Sequence, residues 1–183
     1  MTDSAERPAA PAAELPRAIQ ELAGFVGFGE ADAQTIRRTA PLLLEHESRL
    51  TAALYDHFLD QPSAARFFLR EDGEPDTERI ERRKHSLGRW LRESAEAALD
   101  KEAGYYLLGI GLSHSHRNWG RGGAVPPDLM IGAISLTQTA LASLFEAHMP
   151  APEALAASVA WNKLLLVQLS VFLLGYLLPR RAT

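Results

Sequence analysis

The sequence predicts an all-α fold, on three observations. Apolar residues recur at helical spacing through several long segments, and no stretch shows the sustained two-residue alternation of a half-buried strand. Prolines at positions 16, 41, 62, 75 and 152 sit near segment starts, where a missing N–H costs little. Clusters of glycine and proline separate the segments.

Taken in order, residues 1–13, "MTDSAERPAAPAA", carry alanine and proline without periodicity and predict a disordered tail, leaving 14–183 as a single domain. A short helix is expected at 15–23, followed by helices at 30–39, 41–60, 76–98, 101–118, 127–148 and 152–178, with a single turn over 62–69. The 41–60 segment runs a stripe through Leu43, Leu50, Leu54 and Phe58, with Tyr55 beside it. The 76–98 segment has capping oxygens at Asp76 and Thr77 and a stripe through Ile80, Leu87, Trp90, Leu91, Ser94 and Ala98, which Lys84 interrupts. No internal repeat is present.

Composition bounds the function. The 183 residues are 46% hydrophobic and 23% charged, which suits one core. A net charge of −4 without a basic block argues against a nucleic-acid partner. Cysteine is absent, so a disulfide framework, a thiol nucleophile and a thiolate metal site are all excluded. The N-terminus lacks the basic start and apolar run of a signal peptide, so a cytoplasmic location is expected.

The run "LLLVQLSVFLLGYLL", 164–178, is interrupted by Gln168 and Ser170 and is shorter than the roughly 20 residues of a membrane span. No span is expected. Because this helix is apolar nearly all round, self-association is the economical explanation.

The stretch "GIGLSHSHRNWGRGG", 109–123, holds two of the six histidines. Two positions along a helix rotate a side chain by about 200°, so His114 and His116 cannot share one ion. His114 continues an apolar stripe with Leu107, Ile110 and Gly111, while His116 shares the side of Arg117 and Asn118. Two readings of His114 stand at this point. It is either a core histidine bonded to a carbonyl or a metal ligand.

No HxxxH or HExxH spacing accompanies it, so a zinc site lacks support. A lone histidine on an apolar helical face suits haem iron, whose porphyrin supplies the other four nitrogens. Gly109 and Gly111, each costing about 1 kcal/mol in a helix, would then admit a close-lying porphyrin.

"ALYDHF" (53–58), "FFLREDGEPD" (67–76), "RRKHSLGRWL" (82–91), "IGLSH" (110–114) and "VPPDLMIGA" (125–133) follow one another in an order and approximate spacing that resemble the protoglobin and globin-coupled-sensor family. The resemblance spans about 15–178. It implies a globin fold, a 3-over-3 helical sandwich with an additional N-terminal helix, and haem b held by a proximal histidine.

The family's "IGxxH" pattern falls on Ile110, Gly111 and His114, so the resemblance implies His114 as the axial metal ligand and gives His116 no such role. The distal tyrosine falls on Tyr55, and distal-helix pocket positions on Arg83, Ser86 and Leu87. Phe67, Phe68, Met130 and Ile134 are further candidate haem contacts. The residue before the tyrosine is Leu54, where a large aromatic can stand in the family, which predicts a more open distal pocket. The glycine-rich loop after His114 favours the protoglobin branch. No transmitter module follows the last helix, so a stand-alone globin is expected.

The implied function is reversible binding of O2, CO or NO as a gas sensor or binder, in a homodimer paired through the last two helices. Two other readings compete. One is a haem-free globin-like interaction module. The other is nitric oxide dioxygenase or peroxidase-like chemistry, which would need a separate reductase because no GxGxxG fingerprint appears. Acid/base catalysis is disfavoured, since the carboxylates of 71–81 and 93–102 sit among Arg and Lys on charged faces.

Overall fold

A computed structural model describes residues 14–117, 119 and 122–179, so the expected tail at 1–13 and Asn118 beside His116 lie outside the described residues. Eight helices follow: α1 (Leu15–Phe25), α2 (Glu30–Glu45), α3 (Glu47–Asp60), α4 (Pro62–Ala65), α5 (Thr77–Ala95), α6 (Lys101–His116), α7 (Pro127–His148) and α8 (Ala151–Leu177). No strand lies among the described residues, as the periodicity predicts.

Most segments fall where expected, and four boundaries correct the sequence reading. Pro41 does not start a helix; it lies inside α2, on the exposed face, where the Arg37 carbonyl that loses its amide partner can be hydrated. The break comes at His46 instead, whose N–H bonds back to the Leu43 carbonyl at 3.1 Å. The expected turn at 62–69 is helical only through Ala65. Beyond it, Leu69 bridges Pro75 across a tight excursion.

Helix α5 stops at Ala95 rather than residue 98, because Ala97 takes a left-handed conformation (φ 53°) that ends the helix. Helix α6 stops at His116. At its own start, α5 is capped by Asp76, which accepts from the Arg79 N–H at 3.0 Å.

Helix α8 is the centre of the molecule, packed by α1, α2, α6 and α7. By length and composition α7 and α8 are each apolar enough to cross a membrane. Yet Trp161, Leu164, Leu165, Val167 and Val171 of α8 are wholly buried in the one core cluster. Four covering helices account for its apolar circumference, so the circumference alone does not require self-association.

Most polar groups of α8 in the core are paired, although the buried Tyr176 hydroxyl has no hydrogen-bond partner among the described residues. The Gln168 oxygen accepts from the Trp90 indole N–H at 2.9 Å and the Ser94 hydroxyl at 3.2 Å, and Trp161 donates to the Thr39 hydroxyl at 3.0 Å. Lys163 of α8 pairs with Asp32 of α2 at 3.0 Å, and Asp32 also accepts from the Gly29 N–H.

The α6·α8 crossing corrects the reading of Gly111. A Cβ there would lie 2.2 Å from the Phe172 carbonyl oxygen, and one on Gly175 would lie 2.6 Å from the Gly111 carbonyl carbon. Ser115 bonds across the same contact to the Gly175 carbonyl at 2.9 Å. Gly111 therefore admits a helix backbone, not a porphyrin. Gly109 keeps its open surroundings, with nothing within 4 Å of a Cβ.

Candidate functional site

Helices α3, α5, α6 and α7 border a cleft of about 670 Å³, and a second of about 300 Å³ lies toward α4. The two share Tyr55, Phe58, Arg83, His114, Met130 and Ala133, so they adjoin as one lined region. The larger falls within the roughly 300–1,000 Å³ of cofactor-sized sites.

All ten residues singled out in the sequence line this space. Tyr55 is buried on α3, with Phe68 edge-on to its ring at 5.4 Å and Phe67 buried nearby. Arg83, Ser86 and Leu87 come from α5; Ser86 stands at the exposed rim and donates to the Arg82 carbonyl at 2.9 Å. Ile110 and His114 come from α6, and the buried Met130 and Ile134 from α7. Leu54, the small neighbour of the tyrosine, also faces the larger chamber, as does Gly109. His116 does not line it; its Nδ1 lies 2.6 Å from the Ser115 hydroxyl.

The His114 ring is held in one tautomer. Its Nδ1 lies 2.8 Å from the carbonyl of Ile110, one turn back. A carbonyl can only accept, so Nδ1 carries the proton and Nε2 keeps its lone pair. Burial, helped by the Arg83 cation, holds the imidazole below its ordinary pKa against the opposing pull of that hydrogen bond. The ring is therefore neutral, the form a metal requires.

Burial likewise raises the Tyr55 phenol well above the usual tyrosine range, against the opposing Arg83 charge, so its hydroxyl stays protonated and can donate.

Sequence reasoning missed Trp119. Its indole stacks on the His114 ring, centroids 5.8 Å apart and 24° from parallel, and donates to the Ser113 carbonyl at 2.9 Å. On the indole lies the Arg83 guanidinium, 3.9 Å from the ring centroid. Gly122 lets the turn close on Phe67, whose ring a Cβ would meet at 2.3 Å, while Val125 N–H bonds to the His114 carbonyl at 2.9 Å. The signal was a tryptophan inside a glycine-rich loop, which has no periodicity to orient it.

Polar lining is one-signed. Among the described residues around both chambers stand Arg83, Arg89 and Arg117 and no aspartate or glutamate. An apolar space with a neutral imidazole nitrogen and only cationic charges suits an apolar ligand that also carries negative charge. No group of three or more His, Asp or Glu fit to hold a bare metal ion occurs among the described residues.

Comparison with known proteins shows the fold and the family. Among solved structures, the globin domain of Geobacter sulfurreducens globin-coupled sensor superposes with a TM-score of 0.72 at 21% identity, covering 86% of this chain and 96% of that one. The fold is thus the all-α globin fold, with α1 as the additional N-terminal helix. No curated protein matches the chain. The Protoglobin family model matches residues 15–181, nearly the whole described chain, and the protein belongs to the protoglobin family.

Proposed function

We propose that the chain is a haem-binding globin that reversibly binds O2, CO or NO, with His114 as the axial ligand. The observation that carries this reading is the locked tautomer of His114, which leaves a neutral nitrogen lone pair for a cavity of cofactor size. Haem b, bound there, supplies the iron at which a diatomic gas is held. Tyr55 offers a protonated hydroxyl as a donor within the same space, and Leu87, Ile110, Met130 and Ile134 exclude water. Phe67 and Phe68 wall the adjoining chamber.

The rival reading, a haem-free interaction module, requires side chains to fill the pocket, and the open volume of about 670 Å³ speaks against it. Titrating the haem-free protein with haem, then recording reduced spectra with and without CO, tests the proposal. Saturation at one haem per chain with a CO-shifted Soret band is expected; a protein that takes up no haem overturns it.

A homodimer is part of the proposal. Leu155, Val159 and Leu166 are exposed at helical spacing along the outer side of α8 and support pairing with a second copy. Light scattering on Leu155→Glu/Leu166→Glu is expected to report a monomer where the parent protein reports a dimer.

A further inference from the structure

Arg83 is a cation without a counter-ion among the described residues. It projects from α5 into both chambers, and its Nε is buried with no hydrogen-bond partner among the described residues. The ionisable groups facing it are Tyr55 from α3, Arg79 and Arg82 on its own helix, His114 from α6 and Arg117 just beyond α6. Arg79 is occupied by Asp76 and Arg82 by Glu78. The Trp119 ring beneath the guanidinium offsets only part of the cost of burying a charge. An anion arriving in this space would find a positive charge and an idle N–H donor, with no aspartate or glutamate among the described lining residues competing for either.

We propose that Arg83 makes the cavity an anion-accepting site, favouring a small anionic ligand such as azide or nitrite over a neutral one of similar size beside Tyr55. This rests on the haem-binding reading for its setting, because the anion would occupy the open side of the bound group. It goes beyond that reading in naming a charge class of ligand that a diatomic-gas site does not require.

The test compares the parent protein with Arg83→Leu and Arg83→Lys, each loaded with ferric haem, by spectral titration with azide and, separately, with imidazole. Arg83→Leu is expected to lose azide affinity about tenfold or more, as removal of a charge-assisted hydrogen bond implies, while imidazole affinity stays within about twofold. Arg83→Lys retains the charge and should recover part of the loss. Equal losses for azide and imidazole, or no loss for either, overturn the proposal. So does weakened haem retention in Arg83→Leu with azide affinity unchanged, since the guanidinium would then serve a haem propionate.

A second arm needs no haem, so that failure of the cofactor reading stays distinguishable. Decanoate should raise the melting temperature of the haem-free parent protein more than decanol does, and Arg83→Leu should erase that difference. A difference that survives in Arg83→Leu overturns the proposal whether or not the protein takes up haem.

Discussion

Trp119 stacks on the imidazole of His114, 5.8 Å between centroids, while Ile110 holds the same ring from below through its carbonyl at 2.8 Å. The imidazole is thus fixed in tautomer by its own helix and in orientation by the following turn. Hydrogen-bonding partners of a ligating histidine contribute about 10–100-fold to metal affinity, and the indole orients the same ring by stacking. Trp119→Ala is therefore expected to speed haem transfer to an excess of a haem-scavenging apoprotein by about tenfold or more, with helical circular dichroism unchanged. An unaltered transfer rate would leave the indole with no positioning role.

The two glycines ahead of His114 separate on substitution. Gly111→Ala forces a methyl against the Phe172 carbonyl oxygen, and overpacking of this kind costs about 1–3 kcal/mol. Gly109→Ala meets nothing, so the haem-free protein should gain up to about 1 kcal/mol from helix propensity. Urea unfolding of both variants checks the pair, and opposite signs are the expected result.

Gln168 joins α8 to α5 by accepting from both Trp90 and Ser94 inside the core. Gln168→Leu strands two buried donors and is expected to cost about 1–3 kcal/mol in chemical denaturation. Adding Trp90→Phe removes one stranded donor, and the double variant should lose less than the sum of the two single changes.

Alkaline pH reads the burial of Tyr55. In the unfolded chain the phenol loses its proton near about pH 10, whereas burial keeps it protonated in the folded state. Above that pH the unfolded chain binds fewer protons than the folded one, so stability falls as pH rises. Tyr55→Phe removes this contribution. Its melting temperature should decline less between pH 9 and 11 than that of the parent protein, and equal declines would show that the phenol titrates alike in both states.

How much was legible follows from where the information lies. The helices and the cavity residues on α3, α5, α6 and α7 could be read because their apolar spacing has a fixed period, and because the ordered motifs around Tyr55 and His114 matched a family pattern. Pro41 misled, because proline favours helix starts, where the N–H it lacks would have no partner, yet it is also accommodated in the interior where, as on this exposed face, the freed carbonyl can be hydrated. The end of α5 was hidden because Ala97, not a glycine, takes the left-handed position. Gly111 misled because close approach has no sign in sequence: it fits a porphyrin and a helix backbone equally. The stacking of Trp119 on His114 and the Arg83 guanidinium laid on its indole depend on a turn folding back over the site, which no local spacing encodes.

His114, and not His116, is the side chain proposed to hold the iron of a bound haem. The most direct measurement is the absorption spectrum of the haem-loaded His114→Ala and His116→Ala proteins beside the parent. His116→Ala is expected to keep the parent's imidazole-ligated Soret and visible bands, while His114→Ala loses them and regains them with added imidazole. An unchanged spectrum in His114→Ala, with loss in His116→Ala, would contradict it.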